Sequence, residues 1–261
     1  MVLRLFYAYN RAEYESERMI FNMLQNKVAV ITGATRGCGK AIAEKLGTQG
    51  AKLTVVGSSD GIFKTADELK NNGYDVLAVK ADVSNESDVA DLFKQTFDHF
   101  GQVDILVNNA GVGQFKLAEE HSLADFQKMF EVNVQGVFLC STAVVPHMKE
   151  RKEGTIITIS SDVGRRTIAN GSVYTATKYA VQGFSGSLAQ ELREFGVRVG
   201  TVNPGAIDTY FADSEPGLDF KEDWLKVTDI AEAVAYMASA PKHMVVDEIM
   251  LHPLSQEYPN V

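Results

Sequence analysis

Short apolar runs rich in β-branched residues alternate along the chain with longer stretches whose apolar positions recur every three to four residues. Val28-Ala29-Val30-Ile31 is one such run. After a glycine-rich turn comes Lys40-Ala41-Ile42-Ala43-Glu44-Lys45-Leu46, which carries the helical period. The alternation repeats and predicts strands over 28–31, 52–57, 76–81, 103–108, 155–160, 198–203 and 248–252. Between them it predicts helices over 40–49, 64–71, 86–100, 123–131, 136–151, 175–195 and 229–238. Runs such as Ile156-Ile157-Thr158-Ile159 leave no polar face, as expected of strands covered by helices on both sides. The pattern therefore predicts an α/β fold: a doubly wound, mostly parallel seven-stranded sheet with helices on both faces. In such a sheet, ligands collect at the carboxyl ends of the strands, where the strand order reverses.

No shift in composition, linker, repeat or low-complexity tract divides the 261 residues, a length that one domain of this class accommodates. Residues 23–261 are accordingly read as a single domain. Residues 1–22 carry Arg4, Arg11, Glu13, Glu15, Glu17 and Arg18, lack the apolar core of a secretory signal, and read as a flexible extension. No uninterrupted apolar run approaches 18 residues, so no membrane span is expected. A formal net charge of −9 disfavours nucleic acid and anionic membrane as partners. Cys38 and Cys140 fall in a turn and an apolar helical stretch, not a disulfide framework, which fits a reducing, cytoplasmic compartment. The five histidines are scattered without ligand spacing, and no metal site is expected.

Two segments carry candidate chemistry. Thr32-Gly33-Ala34-Thr35-Arg36-Gly37-Cys38-Gly39 joins the first strand to the first helix. A glycine turn at a helix N-terminus presents free backbone N–H groups and the positive end of the helix dipole to a diphosphate, and glycine keeps Cβ atoms out of its way. Strand, turn and helix together form a Rossmann-type dinucleotide signature. The second segment holds Tyr174 and, one helical turn later, Lys178. A phenol with an unperturbed pKa of about 10 is a poor acid at neutral pH. An ammonium about 4 Å away, at an effective dielectric near 20, stabilises its anion by about 4 kcal/mol and brings Tyr174 toward physiological pH. Ser161 stands thirteen residues before the tyrosine, and its neighbour Ser160 points to the opposite face if the strand continues.

With Asp82-Val83, Asn108-Asn109-Ala110-Gly111, Asn133, and Asn203-Pro204-Gly205 followed by Thr209, these segments make the chain resemble a single-domain short-chain dehydrogenase/reductase over residues 24–254. The resemblance implies hydride transfer with Tyr174 as general acid/base, Ser161 as its partner, and Lys178 gripping the nicotinamide ribose. It implies that Asn133 interrupts its helix and holds a water that links Lys178 to solvent. The cofactor-binding set it implies begins with Gly33, Thr35, Gly37, Cys38 and Gly39. Asp82 is then expected at the adenine edge, with Val83 against the ring. Asn109 is expected beside the adenosine ribose with Gly111 close to it, and Pro204, Gly205, Ile207 and Thr209 along the carboxamide. Asn108 is expected to tie neighbouring strands together. Cys38 stands where the family usually has isoleucine or leucine, and a thiol there is open to oxidation.

Charge bears on the choice of cofactor. Enzymes selecting NAD place a carboxylate at the end of the second strand. Here Ser58 and Ser59 stand there, and Arg36 in the glycine turn is suited to pair with a 2′-phosphate, so NADP is expected. Asp60 is read as a helix cap. Residues 210–226 mix Phe211, Leu218, Phe220 and Trp224 with acidic residues, as an apolar substrate lid with a solvated face would. The ending Asp247-Glu248-Ile249-Met250-Leu251-His252-Pro253 resembles the NADP-preferring carbonyl and alcohol reductase branch, acting on small-molecule ketones, aldehydes or secondary alcohols. A homodimer or homotetramer paired through 136–151 and 175–195 is implied by the family.

Two other readings remain open. One is a 3-oxoacyl-(acyl-carrier-protein) reductase, for which Arg165, Arg166, Arg193 and Arg198 would supply a basic docking patch; the other is a nucleotide-sensing regulator without turnover. Because every motif lies downstream of residue 22, a chain beginning at Met23 is expected to fold and turn over like the full chain, as circular dichroism and cofactor oxidation would register. Loss of both on truncation would place part of the active domain in the first 22 residues.

Overall fold

The computed structural model describes residues 23–257, so the extension expected at 1–22 lies outside the described residues. The β-branched runs form seven strands: β1 (Val28–Ile31), β2 (Lys52–Gly57), β3 (Val76–Lys80), β4 (Ile105–Asn108), β5 (Gly154–Ile159), β6 (Val197–Pro204) and β7 (Glu248–Leu251). All pair in parallel, in the order β3-β2-β1-β4-β5-β6-β7. The order reverses between β1 and β4, and their carboxyl ends open the crevice in which such sheets bind ligands.

The helices are α1 (Gly37–Thr48), α2 (Gly61–Asn71), α3 (Glu86–Phe100), α4 (Leu123–Phe130), α5 (Gly136–Arg151), α6 (Ser172–Leu192) and α7 (Val227–Ala238). The two-residue period of the strands divides the core. Ile31, Leu53, Val107 and Ile157 meet Ile42 and Leu46 of α1, Leu69 of α2 and Val234 of α7 on one face. Val30, Val56, Leu106 and Ile156 meet Leu92 of α3, Val144 and Met148 of α5 and Leu188 of α6 on the other. Adjacent residues of one strand thus serve opposite cores, which is why these strands tolerate no polar alternation.

Helix starts differ most from expectation. α1 begins at Gly37, so the glycine turn is itself the first helical turn, and α6 begins at Ser172, which puts Tyr174 inside the helix. Glycine's low intrinsic propensity hides such a start, which tertiary packing overrides. Asp60 precedes α2 but makes no capping bond; its exposed carboxylate accepts Lys80 Nζ at 2.9 Å. Asn108 ties β4 to Ser141 of α5 at 3.0 Å, a strand-to-helix link instead of the strand-to-strand link expected.

The helical run Leu123–Arg151 is long and apolar enough on average to cross a membrane, although no span was expected from uninterrupted apolar runs. One side of it is spent within the protein: Cys140, Val144 and Met148 are fully buried against the sheet. A π turn, Glu131–Gln135, breaks the run between α4 and α5 and contains Asn133.

Candidate active site

The crevice at the strand ends is a cavity of about 720 Å³. It runs from Gly33, Gly37 and Gly39 past Asn109 and Gly111 to Ser161, Tyr174 and Lys178. Pro204, Gly205, Ile207 and Thr209 form one wall, with Cys38 and Arg36 beside the glycine turn. Thr35, Ser58, Ser59, Asp82, Val83 and Asn133 lie outside its lining.

The glycines are required for the turn's own geometry as well as for a ligand. Gly33 and Gly37 hold φ of +64° and +59°, the left-handed region that side chains avoid. A Cβ on Gly39 would fall 2.3 Å from the Gly33 carbonyl oxygen. Thr32 and Asn109 lock this turn to the end of β4. The Asn109 and Ala110 N–H groups each donate to Thr32 Oγ1 at 3.0 Å, and Asn109 Nδ2 donates to the Thr32 and Gly33 carbonyls at 2.8 and 3.1 Å. The Nδ2 hydrogens of Asn109 are therefore committed to the turn. Arg36, at the N-cap, caps nothing with its side chain, leaving the first N–H groups of α1 facing the crevice.

Arg36 is exposed and is not hydrogen-bonded to Ser58 or Ser59; its guanidinium lies over the Tyr210 ring, 4.6 Å from the centroid. Asp82 Oδ1 accepts the Ser84 N–H and hydroxyl at 3.0 and 2.6 Å, while Asn85 caps α3. Val83 is buried in the core, and a Cβ on Gly136 would come within 2.8 Å of its Cγ2. That side chain belongs to the packing between β3 and α5, which is a different task from covering an adenine. Along the far wall, the bridge between Ile207 and Leu225 uses the Ala206 carbonyl and the Asp208 N–H, so the Ile207 N–H and C=O turn the other way, toward the cavity.

At the deep end, Ser161 Oγ donates to Asp162 Oδ1 at 3.1 Å and accepts the Val163 N–H at 3.3 Å; Ser160 instead turns its hydroxyl to the Lys178 carbonyl at 3.5 Å. Lys178 Nζ donates to the Ile159 carbonyl at 3.0 Å and stands 5.5 Å from the Tyr174 ring centroid. Phe115 and Phe211 each approach the Tyr174 ring at 5.4 Å. Asn133 spends its side chain on protein: Oδ1 accepts the Val112 N–H at 2.8 Å, and Nδ2 donates to the Val112 carbonyl at 2.8 Å and to Thr177 Oγ1 at 3.1 Å. The helix is interrupted there as expected, but both amide hydrogens are occupied.

A model of the short chain dehydrogenase family matches residues 27–216. The chain belongs to the short-chain dehydrogenase family. An uncharacterised oxidoreductase of Staphylococcus epidermidis is 35% identical over 232 residues, covering 88% of this chain and 99% of that protein. Among solved structures, an alcohol dehydrogenase from the archaeon Thermococcus sibiricus, complexed with 5-hydroxy-NADP, is 39% identical with a TM-score of 0.84 over 90% of this chain and 99% of its own. A 3-ketoacyl-(acyl-carrier-protein) reductase from Brucella melitensis, complexed with NADH, is 34% identical with a TM-score of 0.82 over 88% and 98%. This short-chain dehydrogenase is an oxidoreductase using a nicotinamide cofactor, and its crevice fits one: the Gly33–Gly39 cradle leaves the helix N-terminus uncovered where a Cβ would intrude.

Burial dominates the electrostatics of the dehydrogenase's deep end. It pushes the Tyr174 phenol well above its ordinary value; Ser161 offsets part of this and the Asp162 charge adds to it. It pushes the Lys178 ammonium down to about 8. The lysine charge thus does not bring the tyrosine toward neutrality in this structure, because desolvation outweighs an ammonium held against the ring and the Ile159 carbonyl. Cys38 is likewise raised to about 12 by burial, which keeps it a thiol at neutral pH.

Asp162, Lys221 and Gln256 also line the cavity and were not anticipated. Lys221 is fully buried under the lid and donates to the Thr209 and Glu215 carbonyls at 3.0 and 2.5 Å. A charged residue in an acidic loop gives no sign of such burial; Asp162 alone had a signal, its place next to Ser161.

The lowered Lys178 value has a thermodynamic consequence. Between pH 8 and 10.5 the unfolded chain binds a proton that the folded chain has released, so stability at this residue rises with pH across that window. Relative to Lys178→Met, wild type should gain roughly 1–3 kcal/mol from pH 7.5 to 10 in urea unfolding. A pH-independent difference would show that Lys178 is not desolvated. Tyr174, shifted upward, acts in the opposite sense above pH 10, and the subtraction cancels it.

Proposed function

We propose that this protein is an NADP(H)-dependent carbonyl reductase, moving a hydride between the nicotinamide and a small-molecule ketone, aldehyde or secondary alcohol. The observation that carries the reading is the meeting of Tyr174, Ser161 and Lys178 with the glycine cradle in one cavity. When bound, the nicotinamide supplies or accepts the hydride. Tyr174 donates its proton to the carbonyl oxygen, and a phenol kept fully protonated by burial is set to be a donor. Ser161 holds the same oxygen through its hydroxyl. Lys178 stands between tyrosine and ribose side and stabilises the phenolate as it forms. Asn133 acts by opening its helix, so a carbonyl freed at the π turn, and not its occupied amide, is what a linking water would meet.

Gly33, Gly37, Gly39 and the α1 N-terminus would hold the diphosphate, with Cys38 packed beneath, Asp82, Asn109, Gly111 and the backbone at Val83 flanking the adenosine, and Pro204, Gly205, Ile207 and Thr209 beside the carboxamide. NADP is preferred in this reading. Arg36 stacks on Tyr210 through its face, which leaves its in-plane N–H donors for a 2′-phosphate, next to the exposed Ser58 and Ser59. Asp60, the one nearby carboxylate that would oppose it, is paired with Lys80. The relative bound to 5-hydroxy-NADP supports this choice and the one bound to NADH does not.

The carrier-protein reading has less support from these arginines: Arg165 pairs with Glu248, Arg166 with Asp162 and Arg193 with Asp247, and Arg198 is half-buried against the Ala238 and Ala240 carbonyls. We place the enzyme in the cytoplasm, with residues 23–261 as one domain, and as a homodimer or homotetramer through α5 and α6, where Phe138 and Tyr179 are about half exposed.

Incubation with NADPH and a panel of aldehydes and ketones tests the reading, with carrier-free turnover expected. Tyr174→Phe should fold, keep NADPH affinity and lose roughly 10²–10⁴ in turnover; more than a tenth of wild-type turnover would end the proposed mechanism. Arg36→Ala should weaken NADPH by about 1.5–3 kcal/mol and NADH far less, in fluorescence titration. Equal losses would mean that the arginine does not read the phosphate.

A further inference from the structure

Asp162 is buried and divides its carboxylate between two tasks. Oδ1 accepts the Ser161 hydroxyl at 3.1 Å. Oδ2 accepts Arg166, through Nε at 2.9 Å and through Nη2, and the Gln256 amide at 2.8 Å. Gln256 belongs to the turn that follows β7, and its Oε1 accepts the Ala206 N–H at 3.0 Å. It sits so close to the 204–207 strip that a Cβ on Gly205 would fall 2.2 Å from Oε1. One amide thus joins the neighbour of Ser161 to the wall expected beside the nicotinamide.

We propose that Asp162 and Gln256 are positioning residues of this dehydrogenase, Asp162 acting through Ser161 and Gln256 through Asp162 and the 204–207 strip. The inference rests on the reading of Ser161 as the hydroxyl that meets the substrate oxygen. A serine hydroxyl rotor has three staggered settings; Ser161 also has the Pro204 carbonyl at 3.4 Å, and the buried carboxylate at 3.1 Å is the nearer, charged acceptor that selects one. Because Arg166 and Gln256 load the other oxygen, the carboxylate holds the serine proton weakly enough to release it to a substrate oxygen. The same loading limits the negative field on the Tyr174 phenol. The charged groups that bear on that phenol are Lys178 on its own helix and Asp162 on the turn after β5; Arg166 and His252 bear on Asp162, Arg166 Nε at 2.9 Å and His252 Nε2 at 3.4 Å from its Oδ2.

The test compares Asp162→Asn, Gln256→Leu and Gln256→Glu in the full chain, assayed with NADPH and a carbonyl that wild type reduces. Asp162→Asn should lower kcat about 10- to 100-fold with KM little changed, and Ser161→Ala/Asp162→Asn should be no worse than Ser161→Ala alone. The apparent pKa governing kcat should fall in Asp162→Asn, which removes a negative charge, and rise in Gln256→Glu, which adds one. Without cofactor, the Ala206 amide should exchange hydrogen faster in Gln256→Leu and stay protected in Gln256→Glu, which keeps the acceptor. Additive losses with Ser161→Ala, or wild-type kcat in both Asp162→Asn and Gln256→Leu, overturn the proposal. Full activity of Ser161→Ala overturns the reading beneath it and the proposal together. Should Asp162→Asn not fold, the Gln256 variants decide, and unchanged kcat with unchanged Ala206 exchange overturns the role.

Discussion

The joint between Thr32 and Asn109 is the interaction on which the rest of the site depends. It binds the end of β1 to the end of β4, the two strands between which the order of the sheet reverses. Three N–H donors and a hydroxyl meet at Thr32, which is only 2% exposed, so this is a polar cluster inside a dry region and each bond counts for more than it would at the surface. The glycine turn follows Thr32 in the chain, and Gly111 follows Asn109. Fixing the joint therefore fixes the distance between the part of the crevice suited to phosphates and the part where Tyr174 and Lys178 point.

Beyond that joint, the deep end is governed by the tension between burial and charge. Tyr174 and Lys178 are both nearly inaccessible, and each is driven toward its neutral form. At neutral pH the phenol is uncharged, while the ammonium, lowered to about 8, still carries its charge. Negative charge develops there only when something in the cavity draws the phenolic proton away, and the lysine is already in place to meet it.

Much of this was legible in the sequence, for reasons that differ by level. The strands were readable because residues such as Val30 and Ile31 serve opposite cores, which leaves an unbroken apolar run in the text. The glycine turn and the Tyr174–Lys178 pair were readable because local geometry demands those residue types at those intervals, whereas Ser161 was reached through the family resemblance. What could not be read was long-range. Asp60 prefers Lys80 of the next strand to its own helix, and Val83 turns into the core toward Gly136. Lys221 is buried with its ammonium on the Thr209 and Glu215 carbonyls, and Gln256 reaches a carboxylate 94 residues away. The pKa of Tyr174 was misjudged because a single charge–charge distance was weighed without the desolvation that the folded crevice imposes.

The closeness of Gly39 to the Gly33 carbonyl implies something about timing. A turn packed to the point of excluding one methyl group has little room to fluctuate, so its N–H groups are already aimed before any nucleotide arrives. Binding then costs little ordering of the protein, and the loss of freedom falls mainly on the incoming nucleotide. The 210–226 segment is the contrary case, since Ala212 and Asp213 hold φ of 56° and 57°, in the left-handed region that side chains avoid. The molecule thus pairs a tightly packed glycine turn with a stretch of cavity lining that carries backbone strain.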